Sequence, residues 1–146
     1  MATLTPTLTI TSSDCHSDEL SLSTSLGLTT TAPSAGISKM STAANPLGAG
    51  AGILIAEDTT QYYVYVKHLG VLASDGTTAS HASNDFVTFS DVDGTAGLTV
   101  KLQPSEFAFF PTKEGDGSAG SGGDGGLKVT AGSAAVMIEF GYWARG

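Results

Sequence analysis

Charge is what this sequence has least of. Asp, Glu, Lys and Arg make up 14% of the 146 residues, against about 25% in an ordinary soluble domain. The surface must be covered largely by Thr, Ser, Gly and Ala. These residues have good strand or turn propensity and lose little hydration when pressed against a partner. Positive charge is the scarcer sign. Lys39, Lys67, Lys101, Lys113, Lys128 and Arg145 are the whole basic complement, and they are spread along the chain. No basic patch can form from sequence neighbours, which argues against nucleic acid as a partner. The net charge of −8 keeps the chain soluble by self-repulsion.

Cysteine is nearly absent as well. Cys15 stands alone, so no intrachain disulfide is possible and a disulfide scaffold is excluded. No apolar run approaches the ~20 residues of a membrane helix, and no membrane partner is expected. Met1 to Pro6 has neither a basic start nor an apolar stretch, so synthesis and assembly in the cytoplasm is the expectation. Helix formers are also sparse. Gly, Thr and Ser interrupt every window long enough to hold a helix.

What remains is alternation. Leu98, Val100 and Leu102 alternate with Thr99, Lys101 and Gln103, the period of a strand with one buried face. Pro104 cannot donate to a sheet ladder and ends that strand. Phe107 and Phe109 restart the alternation, with Phe110 on the other face, until Pro111 closes it. Three of the six Phe lie in this corner, which is expected to anchor the core. From Glu19 to Thr29, Leu20, Leu22, Leu26 and Leu28 share one parity with Thr24, while Ser21, Ser23, Ser25 and Gly27 hold the other. A strand puts those leucines on one face, and Gly27 suggests a bulge. Leu4 to Ile10 alternates likewise, with Pro6 suited to a sheet edge.

Further strands follow. Ile37 to Met40 reads as a short edge strand. Ile53 to Ala56 and Gln61 to Leu69 read as a hairpin turning at Asp58-Thr59-Thr60. In its second arm Tyr62, Val64 and Val66 oppose Tyr63, Tyr65 and Lys67, as in a central strand. Ser74 to Asn84 is a polar connection. Asp85 to Ser90 pairs with Leu98 to Leu102 across a turn at Asp91-Val92-Asp93-Gly94. After a glycine-rich loop, 112–126, come Leu127 to Val129 and Ala134 to Trp143.

Eight to ten strands at these spacings predict an all-β fold. A two-sheet antiparallel β-sandwich, jelly-roll-like, is expected as a single domain over 1–146, with an extended N-terminal arm at 1–11. The structural bets are Leu20, Leu22, Val100, Leu102, Phe107, Phe109, Ile138 and Phe140.

No constellation for catalysis emerges. His16, His68 and His81 lack metal-ligand spacing, and no HxH or HExxH occurs. Cys15 and His16 are adjacent, so on a strand they point to opposite faces, and there is no GxSxG. Asp91 and Asp93 resemble half of a calcium loop without its remaining ligands. Asp116 and Asp124 sit in the glycine loop, which lacks the ending of a phosphate-binding loop. Tyr62, Tyr63, Tyr65 and Trp143 are candidates for a sugar platform, or for plain packing. No residue is assigned to catalysis, a cofactor or a metal.

The segment Leu102-Gln103-Pro104-Ser105-Glu106-Phe107-Ala108-Phe109-Phe110-Pro111 resembles a pattern, L-x-P-G-E then a hydrophobic run and Pro, of small β-rich virion proteins of tailed bacteriophages. Ser105 stands where that pattern has Gly. The resemblance covers roughly the last third of the chain, with a variable loop and late apolar strand after the motif. It implies a virion structural protein, a capsid decoration or cement protein or a tail component. Such a protein works without a cofactor and assembles with itself, trimers being natural, and with a major capsid or other virion protein. The residue-level alternative is a carbohydrate-binding β-sandwich using exposed Tyr, with calcium at Asp91 and Asp93.

Overall fold

A computed structural model describes residues 2–12, 20–30, 38–41, 52–80, 84–91, 99–112, 125–132 and 134–145. No helix occurs among them, hence none long and apolar enough to cross a membrane. The strands are β1 (Ala2–Leu4), β2 (Thr7–Ser12), β3 (Leu20–Ser25), β4 (Leu28–Thr30), β5 (Ser38–Ser41), β6 (Gly52–Asp58), β7 (Tyr62–Leu72), β8 (Val87–Ser90), β9 (Thr99–Leu102), β10 (Phe107–Pro111), β11 (Gly125–Ala131) and β12 (Val136–Ala144). Every pairing among them is antiparallel.

Eight strands form the body. One four-stranded sheet runs β10-β7-β12-β5, the other β6-β11-β8-β9. Parity decides what each sheet buries. Val64, Val66 and His68 of β7 and Val136, Ile138 and Phe140 of β12 point inward from the first sheet. Val87 and Phe89 of β8, Leu127 and Val129 of β11, and Leu102 of β9 do so from the second. The apolar members join in one core cluster, the two-layer arrangement of a β-sandwich. Each such aliphatic or aromatic side chain contributes roughly 1.5–3 kcal/mol by leaving water.

The pairings are nested. β5 pairs with β12, β6 with β11, β7 with β10 and β8 with β9, so the chain folds like one long doubled ribbon wrapped into two layers. One pairing expectation changes here. Ile53 to Ala56 and Gln61 to Leu69 are not a hairpin: β6 and β7 lie in different sheets, and the short connection between them crosses the sandwich. Alternation reveals which face is apolar but not which strand lies alongside. The hairpin of β8 with β9 and the short edge strand β5 are as expected. Gly125 and Gly126 belong to β11, and residues 113–124 of the glycine loop lie outside the described residues.

The proline corner crosses between the sheets as well, since β9 and β10 belong to different layers. Gln103 O accepts a hydrogen bond from Glu106 N at 3.1 Å, and the Glu106 carboxylate accepts one from Gln103 N at 2.7 Å. Pro104 takes the second place of this turn. Ser105 takes the third, with φ of 72°, the geometry of a type II turn that favours Gly. It docks on β7: Ser105 N donates to His68 O at 3.1 Å, and His68 N donates to Glu106 O at 2.9 Å. Opposite, Gly70 has φ of 79° where the β7–β12 register shifts between Ile138–His68 and Val136–Leu72. A bulge there, with Gly in the left-handed region, lets β7 bend toward the corner.

The remaining strands make a separate ribbon. β1 pairs with β4 and β2 with β3, and both ladders keep one register: Leu4 opposite Leu28, Leu8 opposite Thr24, Ile10 opposite Leu22. At the interruption Leu26 N donates to Pro6 O at 3.4 Å, so Pro6 and Leu26 continue the same register. Gly27 therefore marks a break in the strand without a bulge. The expected arm at 1–11 is one half of this ribbon, and 20–30 is the other.

A candidate docking surface

The ribbon's register sorts its residues completely. Residues directly opposite in an antiparallel pair share a face. Leu4, Pro6, Leu8 and Ile10 lie with Leu22, Thr24, Leu26 and Leu28 on one face, while Thr3, Thr7, Thr9 and Thr11 lie with Ser25, Ser23 and Ser21 on the other. The second face is a ladder of hydroxyls, with Thr9 Oγ1 3.4 Å from Ser23 Oγ. The first is apolar apart from Thr24, yet much of it stays in water: Leu8 is 48% exposed, Ile10 45%, Leu22 56% and Leu26 62%, while Leu4, Pro6 and Leu28 are half-buried. No charged residue lies in 2–12 or 20–30. A two-stranded hairpin is marginal on its own, and each leucine left half-exposed forgoes about half of the roughly 1.5–3 kcal/mol that full burial would supply.

The outer face of the first sheet continues this surface. Tyr63, Tyr65 and Lys67 oppose the inward Val64, Val66 and His68 on β7, and β10 lays Phe109 beside Tyr65 and Phe107 beside Lys67. Phe109 stacks on Tyr63, with ring centroids 6.3 Å apart and planes at 7°. Tyr65 donates its phenol hydrogen to Glu139 Oε1 at 3.2 Å. Burial, and then the negative charge of Glu139, push the Tyr65 hydroxyl above its ordinary pKa. A groove of about 540 Å³ lies between ribbon and sheet. Pro6, Leu8 and Leu26 line one wall; Tyr65, Phe107 and Phe109 line the other.

Three of the expected core residues thus lie outside. Phe107 is 59% exposed, Phe109 39%, and Leu22 faces water on the ribbon. The proline corner gives the core Leu102 and Phe110, with Val100 packed against its margin. Ile138 and Phe140 are buried as expected, and the Leu20 side chain lies outside the described residues. Parity assigned these residues to a common face correctly. The missing signal was cover, because nothing in an alternating pattern says whether its own chain lies over the apolar face.

The other candidates do not converge. His68 is fully buried and holds the architecture: Gly70 N donates to its Nδ1 at 2.9 Å, so Nε2 carries the proton and donates to Asp85 O at 2.7 Å. Asp91 is buried just past β8. Cys15, His16, His81, Asp93, Asp116 and Asp124 lie outside the described residues. Among the described residues no three of His, Cys, Asp and Glu gather as a metal site would need. The tyrosines divide between faces. Tyr62 meets Tyr142 edge to face at 5.7 Å on the core side, whereas Tyr63 and Tyr65 face outward.

No protein-family model, curated protein or solved structure matches this chain.

Proposed function

We propose that the chain is a virion structural protein, a capsid decoration or cement subunit or a tail component. It oligomerises and docks through its surface, without catalysis. The observation that carries this reading is the ribbon. It is free of charge, amphipathic by register, and left with its apolar face in water. Side chains of this kind gain most by meeting another protein, and repetition over a lattice multiplies weak contacts into tight attachment. The body fits the same reading. Its nested pairings and its sheet orders over β5 to β12 support a jelly-roll reading of the sandwich, an architecture used by viral capsid and lectin domains. The resemblance of Leu102 to Pro111 to tailed-phage virion proteins points the same way. Its usual Gly corresponds to Ser105, the position with positive φ, so the departure is one of strain tolerated rather than of a different turn.

The test is composition. Density-purified virus particles from a culture carrying this gene should contain the chain in stoichiometric ratio to a shell or tail subunit by quantitative mass spectrometry. Absence from the particles would overturn the assignment. Deleting residues 2–30, both halves of the ribbon, should abolish incorporation while the body still folds.

A carbohydrate-binding sandwich is the second reading, favoured by the half-exposed Tyr63–Phe109 stack on the outer sheet face. Binding on a glycan array that disappears in Tyr63→Ala would support it. Silence on the array would remove it.

A further inference from the structure

We infer that a second copy of this chain covers the apolar face of the ribbon together with the adjoining outer face of β10 and β7. The inference rests on the reading of the ribbon as an assembly surface, not on the identity of any particle. Three observations select this occupant. The first is charge. Each copy carries −8, so two copies repel over most of their surfaces. The ribbon strands hold no ionisable side chain, which makes them a place where like copies meet without juxtaposing like charges.

The second is continuity. Pro6, Leu8 and Leu26 face Phe107 and Phe109 across one groove, so ribbon and sheet form a single apolar surface. Ile10 and Leu22, the next apolar pair along the ladder, lie outside the groove and stay largely exposed. The chain's own sheet does not cover that pair, but a neighbouring copy placed over the surface does.

The third is area. A ribbon of this length is about 35 Å long and about 10 Å wide. Together with the outer strip of β10 it offers roughly 500 Å² per copy. Two such faces bury about 1,000 Å², the lower bound of a specific interface. Copies related by a two-fold or three-fold axis bring this patch to the axis.

The experiment measures the mass of the full chain by light scattering over micromolar concentrations, with circular dichroism to follow the fold. The wild type should be a dimer or trimer. Leu22→Asp and Phe107→Asp, both at exposed sites, should shift it to monomer with unchanged dichroism and at least a tenfold weaker association. Thr9→Asp, on the hydroxyl face, should leave the mass unchanged. A monomeric wild type overturns the inference, as does an oligomer indifferent to Leu22→Asp, or one broken equally by Thr9→Asp. Particle incorporation is scored separately. A monomer that still enters particles would sink the self-contact alone, and an oligomer absent from particles would sink the virion reading alone.

Discussion

Replacing Ser105 by glycine should stabilise this protein. Ser105 has φ of 72° at the third position of the Gln103–Glu106 turn. A side chain with a Cβ loses roughly 1–2 kcal/mol in that region. Glycine removes the strain and gives back about 0.5–1 kcal/mol through the freedom of its unfolded chain. The net gain is about 0.5–1 kcal/mol, which moves the thermal midpoint of a chain this size by roughly 1–4 °C.

The partner across the contact sharpens the test. A Cβ built on Gly70, itself at φ of 79°, would lie 2.9 Å from Ser105 Oγ. Gly70→Ala alone should therefore cost about 2 kcal/mol, part of it left-handed strain and part crowding. In the Ser105→Gly background the crowding is gone and the cost should fall to about 1 kcal/mol. That difference is a coupling of about 0.5–1 kcal/mol between the two sites. Urea and thermal unfolding of the four proteins, followed by Trp143 fluorescence, measure the whole cycle. A midpoint lowered by Ser105→Gly would refute the strain argument. Strict additivity would refute the contact.

Other outcomes follow from single groups. His68→Leu replaces a buried ring that holds the Asp85 carbonyl and the Gly70 amide. The lost bonds outweigh the added apolar burial, and stability should drop by about 1–3 kcal/mol in urea unfolding; no drop would mean that those bonds contribute nothing. Tyr65 keeps its proton longer in the fold than in the unfolded chain because burial and Glu139 favour the neutral phenol. Its contribution is complete below about pH 10 and is lost as pH rises through the raised folded value. Phenolate absorbance should show that late titration, and Glu139→Gln should bring it earlier. The Asp75 carboxylate is held down to about 2 by the Thr78 hydroxyl and by the amides of Thr77 and Thr78. Its depressed value means a contribution present above about pH 4 and lost as pH falls toward 2. An NMR titration of Thr78→Val should show the Asp75 carboxyl rising; an unmoved value would sink that explanation.

The strands themselves were legible because side-chain parity is a local property. Val64 and Val66 against Tyr63 and Tyr65, or Val136 and Ile138 against Glu139, need no knowledge of neighbours to be assigned to faces. Strand pairing is not local. The β6–β7 connection reads like any tight turn between strands, and only packing of the whole chain sends its two arms to different sheets. The leucines of 20–28 read as a buried face for the same reason. Their alternation is as clean as that of β12, and the difference lies in whether a second layer covers them.

That difference has a physical origin that bears on function. An apolar face is stable only when covered, and the body's two sheets cover each other through β5 to β12, without help from the ribbon. The ribbon is therefore surplus to the core. Its leucines do not complete any layer, and its Ser and Thr face makes only a hydroxyl ladder. The segment keeps an eleven-residue register on both strands, holds no charge, and sets Leu, Ile and Pro on one face and most of its Ser and Thr on the other, with Thr24 the exception. Exposed hairpins gain nothing from such sorting in water. If the proposed self-contact forms, its strength should scale with the apolar area that Leu8, Ile10, Leu22 and Leu26 bring to it.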